Sequence, residues 1–66
     1  MLIVVNGESR EVPDGLAVTA LLEHLHLRVD RVAIELNGDI LPKDRWPDTH
    51  LHAGDRFEIV QLVGGG

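Results

Sequence analysis

The sequence predicts an α+β domain in which one helix lies across one face of a mixed sheet of four to five strands. Three observations indicate this class: an Asn-Gly pair between two extended runs, one helical apolar stripe, and later segments that alternate apolar and polar residues. With 66 residues the chain makes one domain at most. A core of this size rarely supplies more than about 3–5 kcal/mol of net stability.

The chain opens with a predicted β-hairpin. The runs "LIVV" and "ESREV" flank Asn6-Gly7, the pair favoured in a two-residue turn whose positions both need positive φ. "PDG" at Pro13 to Gly15 ends the second strand.

A helix follows in "LAVTALLEHLHL", because its apolar residues recur at i, i+3, i+4 and i+7. These positions are Val18, Leu21, Leu22 and Leu25. The helix is expected to end near Leu27, where His26 and Arg28 suit its negative end.

The second half of the chain reads as strands separated by a short turn. "RVAIEL" alternates, "NG" recurs at Asn37-Gly38, and Ile40-Leu41 forms a short extended piece. "PKDRW" predicts one helical turn that starts at Pro42. We expect Trp46 to close one end of the core, with its indole N–H bonded to a backbone carbonyl. "FEIVQLV" is the last predicted strand.

Composition excludes several classes of function. Six Lys and Arg face eleven Asp and Glu, for a formal charge of −5, so no basic stripe is available to neutralise nucleic-acid phosphates. An acidic protein of this size is suited to steering toward a basic patch on a larger protein. The apolar run after Met1 is far shorter than a membrane span of about 20 residues. With no cysteine, the default expectation is a soluble cytoplasmic protein.

No catalytic constellation is visible, and we expect no bound metal. His24 and His26 lie two apart on a helix and point in different directions. His50 and His52 share a face if extended, but a zinc site would then need a carboxylate such as Asp48 or Asp55. Solvated loop histidines are the simpler interpretation, and the protein is predicted to be a substrate and carrier, not an enzyme.

The C-terminus carries the sharpest signal, "FEIVQLVGGG". Three glycines cannot pack a core and lose much conformational entropy on being ordered. An extended run of three residues reaches about 10 Å, and without Cβ atoms it can thread a narrow channel. We therefore predict a domain over residues 1–63 and a flexible tail over residues 64–66.

The element order, the strand entered through "GD" and the terminal Gly-Gly resemble the ubiquitin-like β-grasp fold. "LNGDILPKDRW" and "HAGDRFEIVQLVGGG" further resemble the ThiS-type sulfur carrier proteins of thiamine biosynthesis. The resemblance covers the whole chain.

This resemblance implies a function for the tail. The carboxylate of Gly66 would be adenylated and converted to a thiocarboxylate, while Gly64 and Gly65 approach through the partner's channel. The carrier binds no cofactor, and ATP and Mg²⁺ are used by a ubiquitin-activating-type adenylyltransferase (ThiF-like). A sulfur donor such as a cysteine desulfurase would supply the sulfur, and a thiazole synthase (ThiG-like) would accept it.

The last strand also suggests a docking surface. Phe57 and Ile59 share one face, and the charge of Glu58 turns the other outward. The resemblance turns Ile3 and Val5 inward and makes the first and last strands neighbours. We therefore predict an outward apolar strip, which often marks an interface, made of Leu2, Val4, Val60 and Leu62. The alternative is a set of scattered outward aliphatics.

Three rival functions stay open at this point. The chain could carry sulfur for molybdopterin or cysteine synthesis, although the short middle segment favours thiamine. It could instead be a protein modifier that forms isopeptide bonds, or an interaction module whose tail is inert.

Overall fold

A computed structural model describes residues 1–62. Five strands form one mixed sheet, and a single α-helix lies on one of its faces. The elements are β1 (Leu2–Val5), β2 (Glu8–Glu11), α1 (Val18–His24), β3 (Val32–Leu36), β4 (Asp39–Ile40) and β5 (Arg56–Gln61). Short 3₁₀ turns cover Val29–Arg31 and Lys43–Asp48. In residues 1–62 no helix is long and apolar enough to cross a membrane.

The sheet has the strand order β2-β1-β5-β3-β4, so the last strand occupies its centre. Strand β5 runs parallel to β1 and antiparallel to β3, whereas the two hairpins pair antiparallel. The prediction that the first and last strands are neighbours is confirmed.

The core lies between α1 and the facing side of the sheet. From the helix it takes the predicted stripe, of which Val18, Leu21 and Leu22 are fully buried while Leu25 packs at the margin. From the sheet it takes the side chains that alternate inward along β1, β3 and β5, namely Ile3, Val5, Val32, Ile34, Phe57 and Ile59.

Trp46 closes one end of this core, as its position after the proline-started turn predicts. Its side chain is 2% exposed, and its indole Nε1 donates a hydrogen bond to the carbonyl of Leu41 at 3.0 Å. The aromatic body of the indole is thereby buried with its one polar group satisfied.

The helix ends three residues earlier than the sequence predicts. It stops at His24, and His26 adopts the left-handed conformation with φ of 60°. The amide of His26 then bonds the carbonyl of Glu23, and that of Leu27 bonds the carbonyl of Leu22. This is a Schellman motif, whose left-handed position is usually a glycine. Because a histidine occupies that position here, no local stop signal is visible in the sequence.

The two Asn-Gly turns both bind β5 through asparagine side chains. Asn6 accepts a hydrogen bond from the amide of Ile59 at 2.7 Å and donates to its carbonyl at 3.1 Å. Asn37 accepts from the amide of Arg56 at 2.9 Å and donates to the Asp55 carboxylate at 3.1 Å. Both asparagines have positive φ, as predicted for these turns. Each turn therefore also fixes the central strand.

Candidate functional site

The sheet has a covered face, against α1, and an open face on the opposite side. Because side chains alternate along a strand, β5 places Phe57 and Ile59 on the covered face and Glu58 and Val60 on the open face. This confirms the predicted orientation of the last strand and leaves one face of the sheet without any layer from residues 1–62.

The four residues of the predicted strip point outward, but they do not form one strip. Leu2, Val60 and Leu62 are 51%, 59% and 52% exposed, and Val4 is half-buried. The parallel register pairs Val4 with Arg56. Val60 lies four residues further along β5, roughly 13 Å at the usual rise per residue. The predicted continuity is therefore wrong, because the sequence did not reveal the register.

Val60 instead belongs to a patch on the other half of the sheet. It pairs with Ala33 of β3 and lies near Ile40 of β4, which is 78% exposed. We call Ala33, Ile40 and Val60, with the flanking Glu35 and Glu58, the open-face patch. Ile40 was not predicted as part of a surface patch, since a two-residue strand has no periodicity that shows which face its side chains occupy.

Two carboxylates face each other within the open-face patch. Glu35 and Glu58 are directly paired residues of β3 and β5, and both are exposed. Like charges in this position destabilise a sheet. The facing carboxylates therefore lower the stability of the sheet slightly. They also place two negative charges among the exposed aliphatic side chains of the patch.

The glycines of the tail lie outside the described residues, as does Val63. The last described residue is Leu62, whose amide donates to the carbonyl of Arg31 at 2.7 Å. This bond extends the β5–β3 pairing by one residue, to the last residue that the structure describes.

A shallow groove of about 330 Å³ lies beside this exit point. We call it the tail-root groove, and its lining residues are His26, Arg28, Arg31, Gln61 and Leu62. Arg28 pairs with Asp30 at 3.2 Å. The pKa of Asp30 is lowered: partial desolvation raises it, but the backbone hydrogen bond and the charges of Arg28 and Arg31 outweigh that effect.

The two loop histidines, His50 and His52, make different contacts. His52 Nδ1 lies 3.9 Å from the carboxylate of Asp55, which also accepts a hydrogen bond from the His52 amide. His50 forms a backbone bridge to Ala17. Over residues 1–62, no group of three His, Cys, Asp or Glu side chains is placed to hold a metal ion.

Comparison with known proteins assigns the family. The model of the ThiS family matches residues 3–66. This chain belongs to the ThiS family. The match includes the three terminal glycines, on which the resemblance to sulfur carrier proteins was partly based.

Individual relatives agree with this assignment. The sulfur carrier protein ThiS of Escherichia coli is 30% identical over the full length of both chains. A thiazole synthase of Paramagnetospirillum magneticum is 39% identical over all 66 residues, and this chain spans 20% of its length.

Among solved structures, the crystal structure of the thiamine biosynthesis protein ThiS from Geobacter metallireducens is similar. It shares 35% identity, covers both chains completely and has a TM-score of 0.86. The prediction of a ubiquitin-like β-grasp fold is confirmed by this likeness together with the five-stranded sheet and single helix.

Proposed function

We propose that this chain is a sulfur carrier of thiamine biosynthesis and that the α-carboxylate of Gly66 is its functional group. The observation that carries the proposal is the ThiS family match, which runs through the last glycine. The full-length likeness to the Escherichia coli carrier supports it.

The chemistry follows from the poor reactivity of a carboxylate toward nucleophiles. An oxygen of the Gly66 carboxylate attacks the α-phosphorus of ATP, pyrophosphate leaves, and an acyl-adenylate forms. The terminal sulfur of a persulfide attacks the acyl carbon, and AMP leaves. A thiol then cleaves the sulfur–sulfur bond and is itself oxidised to a disulfide, so that a thiocarboxylate remains on Gly66. ATP and Mg²⁺ belong to the adenylating partner, so the carrier acts as a protein substrate.

A thiazole synthase is the proposed sulfur acceptor. The support is the Paramagnetospirillum magneticum thiazole synthase, a fifth of which corresponds to this chain. Joining a carrier to its acceptor raises the effective concentration of one for the other. A ThiF-like adenylyltransferase and a cysteine desulfurase are proposed from the chemistry alone, because the reaction needs an adenylating site and a persulfide.

The open-face patch, extended by Leu62, is the proposed docking surface. Residues 63–66 span at most about 14 Å when extended. A partner that holds Gly66 in its active site must therefore approach the domain near Leu62. Val60 and Leu62 lie at this end of β5, whereas Leu2 and Val4 lie near its other end. The second pair is proposed to contribute less.

The docking proposal can be tested with a matched pair of variants. Val60→Asp and Leu2→Asp each put a carboxylate on an exposed aliphatic position of the same face. We expect Val60→Asp to weaken binding to the adenylating partner at least tenfold in a calorimetric titration, and Leu2→Asp to change it little. Unchanged affinity of a folded Val60→Asp variant would refute the docking surface.

The chemical proposal is tested by intact mass after incubation with an adenylating partner, ATP, Mg²⁺ and a persulfide donor. The carrier should gain the mass difference between one sulfur and one oxygen atom. Oxidation of Met1 adds nearly the same mass, so the gain must lie in a C-terminal fragment and depend on ATP. Lysine conjugates formed in place of a thiocarboxylate would instead indicate a protein modifier.

A further inference from the structure

Several basic side chains of this acidic protein lie near Leu62, the last described residue before the tail. Arg28 and Arg31 line the tail-root groove with His26, and Arg10 lines an adjoining groove that shares Gln61. Three of the six Lys and Arg residues thus gather here, in a chain of formal charge −5. We call Arg10, Arg28 and Arg31 the cationic collar. We propose that this collar binds an acidic protein surface around the entrance of the partner channel that receives the tail. The inference rests on the proposed function.

Folding does not account for these side chains. The side chains of Arg28 and Arg10 are 73% and 49% exposed, and their ion pairs with Asp30 and Glu8 measure 3.2 Å and 4.0 Å. Exposed pairs of this kind contribute about 0–1 kcal/mol to stability. Within residues 1–62, no carboxylate lies within ion-pair distance of Arg31.

Backbone hydrogen bonding places the collar beside Leu62, the last described residue. The carbonyl of Arg31 accepts the hydrogen bond from Leu62, and Arg28 is the N-cap residue of the 3₁₀ turn that ends at Arg31. The left-handed His26 sets the direction in which the chain leaves α1 toward this turn. Two guanidinium groups therefore lie beside the residue that precedes the tail.

The length of the tail indicates what these cations face. Residues 63–66 separate the collar from the Gly66 carboxylate by up to about 14 Å. Nucleotide phosphates bound at that carboxylate would lie up to about 14 Å from the collar, so the collar would face the surface of the partner and not the nucleotide. An acidic rim there attracts the collar and repels the acidic remainder of the carrier, and this combination orients the approach. Charges at the rim of an interface chiefly change the association rate and its dependence on salt.

The test uses the full chain with an Arg28→Glu/Arg31→Glu double variant, and Arg45→Glu as a control. Arg45 is exposed on another element and lines neither groove. We expect the double variant to bind the ThiF-like partner about tenfold more weakly or worse at low salt, mainly through slower association. High salt should narrow this difference by weakening wild-type binding. Arg45→Glu should bind within about twofold of wild type.

Three results would overturn the inference. One is wild-type affinity and salt dependence in the double variant. Another is a loss of binding free energy in Arg45→Glu about half that of the double variant or larger, because the single charge reversal makes half the change in net charge. The third is a saturable response of Arg28 and Arg31 to inorganic phosphate in an NMR titration with partner binding unchanged, which would mark a small-anion site.

The mass of the C-terminal fragment distinguishes a failure of this inference from a failure of the proposed function. If wild type never acquires sulfur with any partner, the proposed function fails. If wild type does and the double variant binds equally well, the collar alone is wrong. If the proposed function and the collar are both right, the double variant gains its thiocarboxylate slowly when the partner is limiting. It then reaches full thiocarboxylation at high partner concentration.

Discussion

The covered and open faces of the same sheet differ in the burial and the charge of their side chains. On the covered face, Phe57 and Ile59 are buried against the helix, and their role in the fold is evident. On the open face, their neighbours Glu58 and Val60 are exposed, and two paired carboxylates adjoin exposed aliphatic groups. A single strand thus carries a folding function on one side and, by our proposal, a recognition function on the other.

The helix and the open face of the sheet each contain an unfavourable polar feature. On the helix, the hydroxyl of Thr19 is buried without a hydrogen-bond partner among residues 1–62. On the open face, Glu35 faces Glu58. The first has no explanation in the structure, whereas the second lies in the patch proposed for docking. Variants on the two faces should therefore separate stability from binding.

The largest effect is expected from Phe57→Ala. Truncating a buried Phe costs about 3–5 kcal/mol of unfolding free energy, close to the whole net stability expected of so small a core. Urea denaturation should show a largely unfolded protein at 25 °C. The matched open-face variant Val60→Ala should stay within about 0.5 kcal/mol of wild type. Equal losses in the two variants would break the distinction between the faces.

Asn6→Ala tests the strand that both faces share. It removes two hydrogen bonds to Ile59, each worth about 0.5–1.5 kcal/mol, and puts Ala at φ of 51°, so we expect a loss of about 2–3 kcal/mol by chemical denaturation. Asn37→Ala, whose bonds are exposed, should lose less. A loss in Asn37→Ala as large as that in Asn6→Ala would contradict this ranking.

Thr19→Val should stabilise the protein. The change replaces an unpartnered buried hydroxyl by a methyl group of similar size, and such a hydroxyl carries a desolvation penalty of about 1–3 kcal/mol. Because Val and Thr have similar helix propensities, the gain should approach 1 kcal/mol in unfolding free energy. Binding to the partner should not change, and a loss of stability would show that the hydroxyl has a partner in solution.

Glu58→Gln should give the smallest gain in stability, about 0.2–1 kcal/mol, because it removes the repulsion from Glu35. The gain should disappear in a Glu35→Gln background and shrink at high salt. Partner binding should weaken at the same time. A variant that is more stable and binds equally well would show that the acidic pair serves no recognition.

Local patterns predicted most of this fold. The apolar stripe of α1, the turns at Asn6 and Asn37 and the packing of Trp46 all depend on neighbours close in sequence. The β1–β5 register depends on pairing between the two ends of the chain, so the sequence placed Leu2 and Val60 side by side although they lie at different ends of β5. The cationic collar was missed for the same reason, since Arg10 and Arg28 line two grooves that share Gln61 only in the folded chain.

The most direct test of the account measures stability and sulfur loading together in Val60→Asp. The unfolding free energy is measured by denaturant titration, and the rate at which Gly66 gains sulfur is followed by mass spectrometry at limiting adenylating partner. We expect a folded variant that is loaded about tenfold more slowly and recovers at high partner concentration. Loading at the wild-type rate, or a slow rate explained by unfolding, would contradict an open face devoted to docking.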